Sequence, residues 1–109
     1  MNWEIIYLPE ADEDLLKLDN SLRKRVKKTI INAQDKPLPI SEGGKGKPLG
    51  NKFNINLTSL LELKLRGIGI RVVYKLEKVE NIMKIIVIGA RADEEVFIEA
   101  KKRIDKYNL

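Results

Sequence analysis

Two alternating apolar segments joined by a glycine turn limit what this chain can fold into more than any other feature. In Leu60–Arg66, Leu61, Leu63 and Leu65 fall on one face and Glu62, Lys64 and Arg66 on the other, the period-two pattern of a β-strand. Gly67-Ile68 follows, and glycine in the first central position suits a two-residue type II′ turn. The return strand, Gly69–Glu77, carries Ile70, Val72, Tyr74 and Leu76 on the face of the leucines. With Gly67 and Ile68 at the turn, Leu65 pairs with Ile70, Leu63 with Val72 and Leu61 with Tyr74. All three pairs are apolar, and a slip by one residue would turn them to the wrong face. The same register sets Lys64 directly across from Arg71. Glu80-Asn81 then turns the chain into Ile82–Ile88, whose unbroken apolar run marks an internal strand. A three-stranded antiparallel meander is expected.

The flanking segments read as one strand and three helices. Residues 2–8 are short and β-prone and stop at Pro9, which suits a first helical turn. Asp12, Glu13 and Asp14 follow; helix N-terminal electrostatics explains them more simply than metal ligation. Ala11, Leu15, Leu16 and Leu18 give a helical apolar face. After Asp19-Asn20, Ser21 reads as an N-cap for a second helix packed through Leu22, Val26, Thr29, Ile30 and Ala33. So short a join makes the two helices an antiparallel hairpin. Asp35–Asn51 holds three of the four prolines and four of the seven glycines and is expected to be a long irregular loop. Its Gly-Gly-Lys-Gly-Lys run fails as a phosphate loop, because the spacing would need Gly at Ser41 and Ser or Thr at Pro48. It reads as a mobile basic loop. Asp93 suits a cap for a last helix packed through Val96, Phe97, Ala100 and Ile104. The order predicts a single α+β domain over residues 1–109: an N-terminal strand, an antiparallel helical hairpin, the meander completing a small sheet, and a C-terminal helix.

Composition narrows the chemistry. The chain has neither Cys nor His. Thiolate sites, the usual zinc sites and the Ser-His-Asp arrangement are thereby excluded. Catalysis would fall to carboxylates, Lys, Arg, Tyr or bound ions. The net charge of +5 favours an anionic partner. The opening residues lack the basic leader of a secretory signal, and Ile85–Ala90 is far shorter than a membrane span. A cytoplasmic location without membrane association is expected.

Two basic groups are candidate sites. Lys64 across from Arg71 is unfavourable for stability alone, although Glu62, diagonal to Arg71, can offset the charge. Arg91, just after the internal strand, is placed to join them. The second group is the run Arg23, Lys24, Arg25, Lys27 and Lys28, with no acid among its members. It reads either as a solvated helix face or as a phosphate-contacting one.

Four segments together carry a family resemblance. They are Pro-Glu-Ala-Asp-Glu-Asp-Leu at the first helix, Gly-Lys-Pro-Leu at Gly46–Leu49, Glu62-Leu-Lys-Leu-Arg-Gly-Ile-Gly-Ile-Arg-Val-Val-Tyr74, and Ile88-Gly-Ala-Arg-Ala-Asp-Glu-Glu-Val-Phe97. On these the chain resembles the RelE/ParE superfamily of type II toxin–antitoxin toxins over nearly its whole length, and the RelE-like branch in particular. The resemblance implies a ribosome-dependent mRNA endoribonuclease that needs no metal or organic cofactor and is held in check by a cognate antitoxin protein. Operator DNA would be contacted only through the antitoxin complex. It assigns Lys64, Arg71 and Arg91 to catalysis. Glu62 stands where the family has a lysine and Phe97 where it has a tyrosine, so Glu62 becomes an alternative base and Phe97 a stacking group without a proton to give. Arg23, Lys24, Lys27, Lys28 and Arg66 are the expected contacts to ribosomal RNA or mRNA. A gyrase-inhibiting toxin of the ParE kind and a non-catalytic nucleic-acid-binding module are the alternatives.

Overall fold

In the computed structural model, which describes residues 3–90 and 94–109, the chain runs β1 (Glu4–Tyr7), α1 (Pro9–Leu16), α2 (Asn20–Ala33), a 3₁₀ turn (Ile40–Glu42), β2 (Lys47–Lys52), β3 (Ile55–Leu65), β4 (Ile70–Glu77), β5 (Ile82–Ala90) and α3 (Glu94–Lys106). The strands form one mixed sheet in the order β1-β5-β4-β3-β2. β1 is parallel to β5, and the other neighbours are antiparallel.

The expected hairpin register is present: Leu65 pairs with Ile70, Leu63 with Val72, Leu61 with Tyr74, and Lys64 with Arg71. The connection is longer than a bare type II′ turn, since the strands stop at Leu65 and Ile70, and Gly67 and Gly69 both have positive φ. A side chain at either position would be strained. β5 is internal as its apolar run requires, with β1 on one side and β4 on the other.

The loop expectation is corrected. Lys47–Lys52 is an edge strand paired with a β3 that begins at Ile55, so the meander has four strands. Pro48, Gly46 and Gly50 hide this strand in the sequence. Pro48 is tolerated because the strand lies at the edge, where an amide donor can be missing. The residues before it are tied down rather than mobile. Lys45 and Gly46 donate their amides to Lys36 and Leu38, and Ile40 donates to Gly46. The buried Tyr74 hydroxyl donates to the Pro37 carbonyl at 2.6 Å. Gly46 passes so close that an added Cβ would lie 2.1 Å from that hydroxyl. Only glycine lets the loop cross there.

Two smaller corrections concern the helices. Asp19 caps α2: its carboxylate accepts from the Leu22 amide at 2.9 Å, and Ser21 donates to the same oxygen. Leu16 is exposed, whereas Ala11 and Leu15 are buried. α2 contributes Val26, Ile30 and Ala33 to the core. It and the loop after it cover the sheet face that carries Leu61, Leu63, Val72 and Tyr74. α3 covers the opposite face, where Val96 sits over Gly89 and Phe97 over Arg71. Arg103 fastens α3, donating to Asp14 at 2.7 Å, to Glu99 at 2.9 Å and to the Ile86 carbonyl at 2.8 Å. Asp14 also accepts the Ile88 amide.

Candidate functional site

Alternation along β3 and β4 puts Glu62, Lys64 and Arg71 on the sheet face beneath α3. At Glu62 and Arg71 this face is covered by protein, whereas Lys64 is half-buried. Arg71 is 8% exposed and Glu62 only 2%. Arg71 Nε lies 2.5 Å from Glu62 Oε1, a charge contact without the alignment of a hydrogen bond. The Arg71 guanidinium also sits 4.7 Å from the centre of the Phe97 ring, a cation–π contact. The diagonal Glu62 therefore does more than soften a repulsion. It holds a buried arginine from one side while Phe97 holds it from another.

Lys64 is half-buried and faces a residue that sequence patterning does not single out. In the β2–β3 register Lys47 is the partner of Glu62, which sets it on the same face as Lys64, two residues along β3. The Lys47 ammonium is the largest influence holding Lys64 below the ordinary lysine value of 10.5; Glu62 works against it, and Arg71 adds to the lowering. Cationic neighbours thus depress the Lys64 pKa, but the principal one is Lys47 rather than an arginine. Lys47 is hidden in the sequence because β2 has the composition of a loop, which conceals that the residue has a partner on β3.

Three cations converge around one buried carboxylate, with an aromatic ring on the far side of Arg71. Such an arrangement can bind a phosphodiester. Guanidinium groups recognise phosphate oxygens in pairs, and a lysine with a lowered pKa can exchange a proton near neutral pH more readily than an ordinary one. Glu62 is poorly placed as a base, being buried and engaged with Arg71. Phe97 is also buried, at 3% exposure, so its faces are taken by protein. Its ring centre lies 6.0 Å from that of Phe53, an exposed side chain in the β2–β3 turn. Arg91 lies outside the described residues, as does the expected cap Asp93. β5 ends beside the site, with Gly89 opposite Arg71 and Ala90 opposite Ile70.

The basic run on α2 is elsewhere. Lys24, Lys27 and Lys28 are exposed on the helix that covers the other sheet face. Arg23 is engaged with the end of α1, donating to the carbonyls of Leu15, Leu16 and Leu18 at 3.4, 3.2 and 3.0 Å. It closes a helix C-terminus, where a cation complements the dipole. Arg66 is exposed in the β3–β4 connection. Among the described residues no cluster of acidic side chains has the spacing of a metal site, and no helix is long and apolar enough to cross a membrane.

No family model matches the chain. It is 28% identical over 102 residues to the mRNA interferase toxin RelE of Escherichia coli K12, covering 90% of this chain and 97% of that protein. Its fold is that of a solved E. coli RelE double mutant in the free state, with a TM-score of 0.73 and 23% identity over 95% of this chain and 99% of the other. It also matches a chain in the RelBE2 toxin–antitoxin complex of Mycobacterium tuberculosis, with a TM-score of 0.67 and 21% identity over 84% of this chain and all of that one.

Proposed function

We propose that this chain, RelE-like in sequence and in fold, is the toxin of a type II toxin–antitoxin system and cleaves mRNA on the ribosome. One domain, residues 1–109, carries the activity in the cytoplasm, and a cognate antitoxin blocks it. The observation that carries this reading is the Lys64–Arg71 rung beneath α3, completed by Lys47, within a chain similar throughout its length to an mRNA interferase.

The reaction needs a ribose 2′-oxygen to attack the adjacent phosphorus, expelling the 5′-oxygen of the next nucleotide. Charge builds on the non-bridging oxygens as the phosphorane forms. Arg71, held by Glu62 and Phe97, is the guanidinium that meets that charge, with Arg91 as its proposed partner. Lys64 moves the proton, as base to the 2′-hydroxyl or as acid to the leaving oxygen. Lys47 both lowers the Lys64 pKa and adds charge for the phosphate. Glu62 is a positioning residue. No metal enters this scheme.

The test is induction of the protein without its antitoxin, followed by primer extension on translated messages. Cuts within codons, dependent on translation and reduced about a hundredfold in Lys64→Ala, are expected. Intact message ends with accumulated gyrase–DNA cleaved complexes would instead assign the chain to the gyrase-inhibiting toxins.

A further inference from the structure

The β2–β3 hairpin ends in the two-residue turn Phe53-Asn54, flanked by the pair Lys52–Ile55. Both turn residues have positive φ, 52° and 63°, as a type I′ turn requires. Asn54 suits that conformation. Phe53 does not, because a bulky side chain at positive φ is strained and such turns favour Asn, Asp or Gly. The strained residue is also exposed: 56% of Phe53 faces solvent. Turn formation and core packing both leave an aromatic here unexplained.

Its neighbours supply the explanation. One side of Phe53 approaches Phe97, at 6.0 Å between ring centres and a tilt of 35°. Phe97 in turn packs on Arg71. The result is a line of groups running from a buried guanidinium through a buried ring to an exposed ring at the hairpin tip. Lys47 lies on the same hairpin, at its other end, across from Glu62. An exposed ring linked through Phe97 to the Arg71 guanidinium suits a nucleotide, which presents both a base and a phosphate. A protein helix docking on this tip would meet an isolated ring rather than an apolar groove. Phe97, being buried, cannot offer a free face to a base; Phe53 can.

From this geometry we infer that Phe53 is a nucleobase-stacking residue, which holds a base of the RNA whose phosphate lies at the Lys47–Lys64–Arg71 cluster. The inference rests on the ribonuclease reading above and adds to it the residue that seats the base. Stacking of this kind discriminates little between bases, so Phe53 contributes affinity and alignment rather than sequence choice.

Two variants test it. Phe53→Asn suits the turn better than the native residue, so its thermal stability should hold or rise, which separates binding effects from misfolding. Phe53→Trp keeps a stacking surface and adds a fluorophore. Binding is measured with an eight-nucleotide single-stranded RNA and with an abasic ribose-phosphate chain of equal length. The RNA should quench the new tryptophan and the abasic chain should not. Phe53→Asn should bind the RNA about tenfold more weakly and raise the KM for mRNA on programmed ribosomes, whereas Phe53→Trp stays near wild type. Cleavage and RNA affinity unchanged in Phe53→Asn would overturn the inference while leaving the ribonuclease reading standing. Equal quenching by the abasic chain would overturn it too. So would weaker antitoxin binding by Phe53→Asn with unchanged RNA binding, since that would make the ring a protein contact. A wild-type protein that neither cuts mRNA nor binds the RNA would overturn both readings.

Discussion

Lys64 and Arg71 share one rung of the β3–β4 ladder but differ in their surroundings, so removing one should not resemble removing the other. Like charges on a rung suggest that either removal relieves repulsion. Burial reverses this for Arg71. Arg71→Ala strands Glu62, 2% exposed, without its counter-charge, and breaking a buried ion pair in this way costs about 3–5 kcal/mol. Denaturant melts should show that destabilisation, and the double variant Glu62→Met/Arg71→Met should recover most of it, because no charge is then left buried. Lys64→Ala should melt at or slightly above the wild-type temperature while mRNA cleavage falls about a hundredfold, the scale of a missing proton-transfer group. Lys47→Gln provides an independent check. Folding lowers the Lys64 pKa, so this lysine opposes folding while charged, and stability is regained as pH climbs through the folded pKa toward the ordinary 10.5. Removing Lys47 should return the Lys64 resonance titration toward 10.5 and flatten that slope, as NMR-detected titration of the lysine side chains would show.

At the scale of elements, α3 roofs the site and its C-terminal turn is fastened to α1. Lys106 and Tyr107 donate to the Glu10 carboxylate at 2.8 and 2.7 Å. The Lys106 contact, then the Tyr107 hydroxyl, lower the Glu10 pKa from 4.5 to about 2. A carboxylate whose pKa falls on folding contributes stability that is complete above its unfolded pKa and is lost as pH falls through the folded one. Part of the stability should therefore disappear between about pH 4.5 and pH 2, and Glu10→Gln should remove that part of the pH dependence in thermal melts. The elements differ in how legible they are in the sequence. The β3–β4 register can be read because Leu61, Leu63 and Leu65 alternate cleanly with charges. The α3 packing face can be read from Val96, Phe97, Ala100 and Ile104 at helical spacing, all four of which are buried. β2 cannot be read, since Pro48 and Gly50 carry no strand signal and pairing with β3 outweighs local preference. The first half of β3 escapes for a related reason: Asn56, Thr58 and Ser59 are exposed and break the apolar pattern. Each omission reaches the site, for the hidden strand carries Lys47 and the turn between the two carries Phe53. The burial of Arg71 is equally hidden, because α3 crossing that face is a tertiary fact that alternation cannot report.

For the whole molecule, the positive charge divides between two opposed surfaces, and this predicts a division of labour. The site cations lie on the α3 side of the sheet, whereas Lys24, Lys27 and Lys28 project from α2 on the other side. A single RNA strand in the site would not reach both. If α2 grips ribosomal RNA while the site holds mRNA, neutralising the α2 lysines should weaken ribosome binding without altering the chemical step. Every phosphate that goes unneutralised lowers the salt slope by roughly 0.7 to 0.9, so replacing all three lysines with glutamine should reduce it by about two to three. The KM for programmed ribosomes should rise and kcat should hold. Arg23 belongs outside this set. It closes α1 through three carbonyl contacts, and Arg23→Gln should lower melting temperature with little change in salt slope. Ribosome affinity measured across a salt series, with single-turnover cleavage on the same variants, checks both halves. An unchanged slope in the triple variant would leave α2 as a solvated face. A fall in kcat would instead mean that the two surfaces act on one strand, which the intervening sheet makes geometrically costly and which the +5 net charge alone does not require.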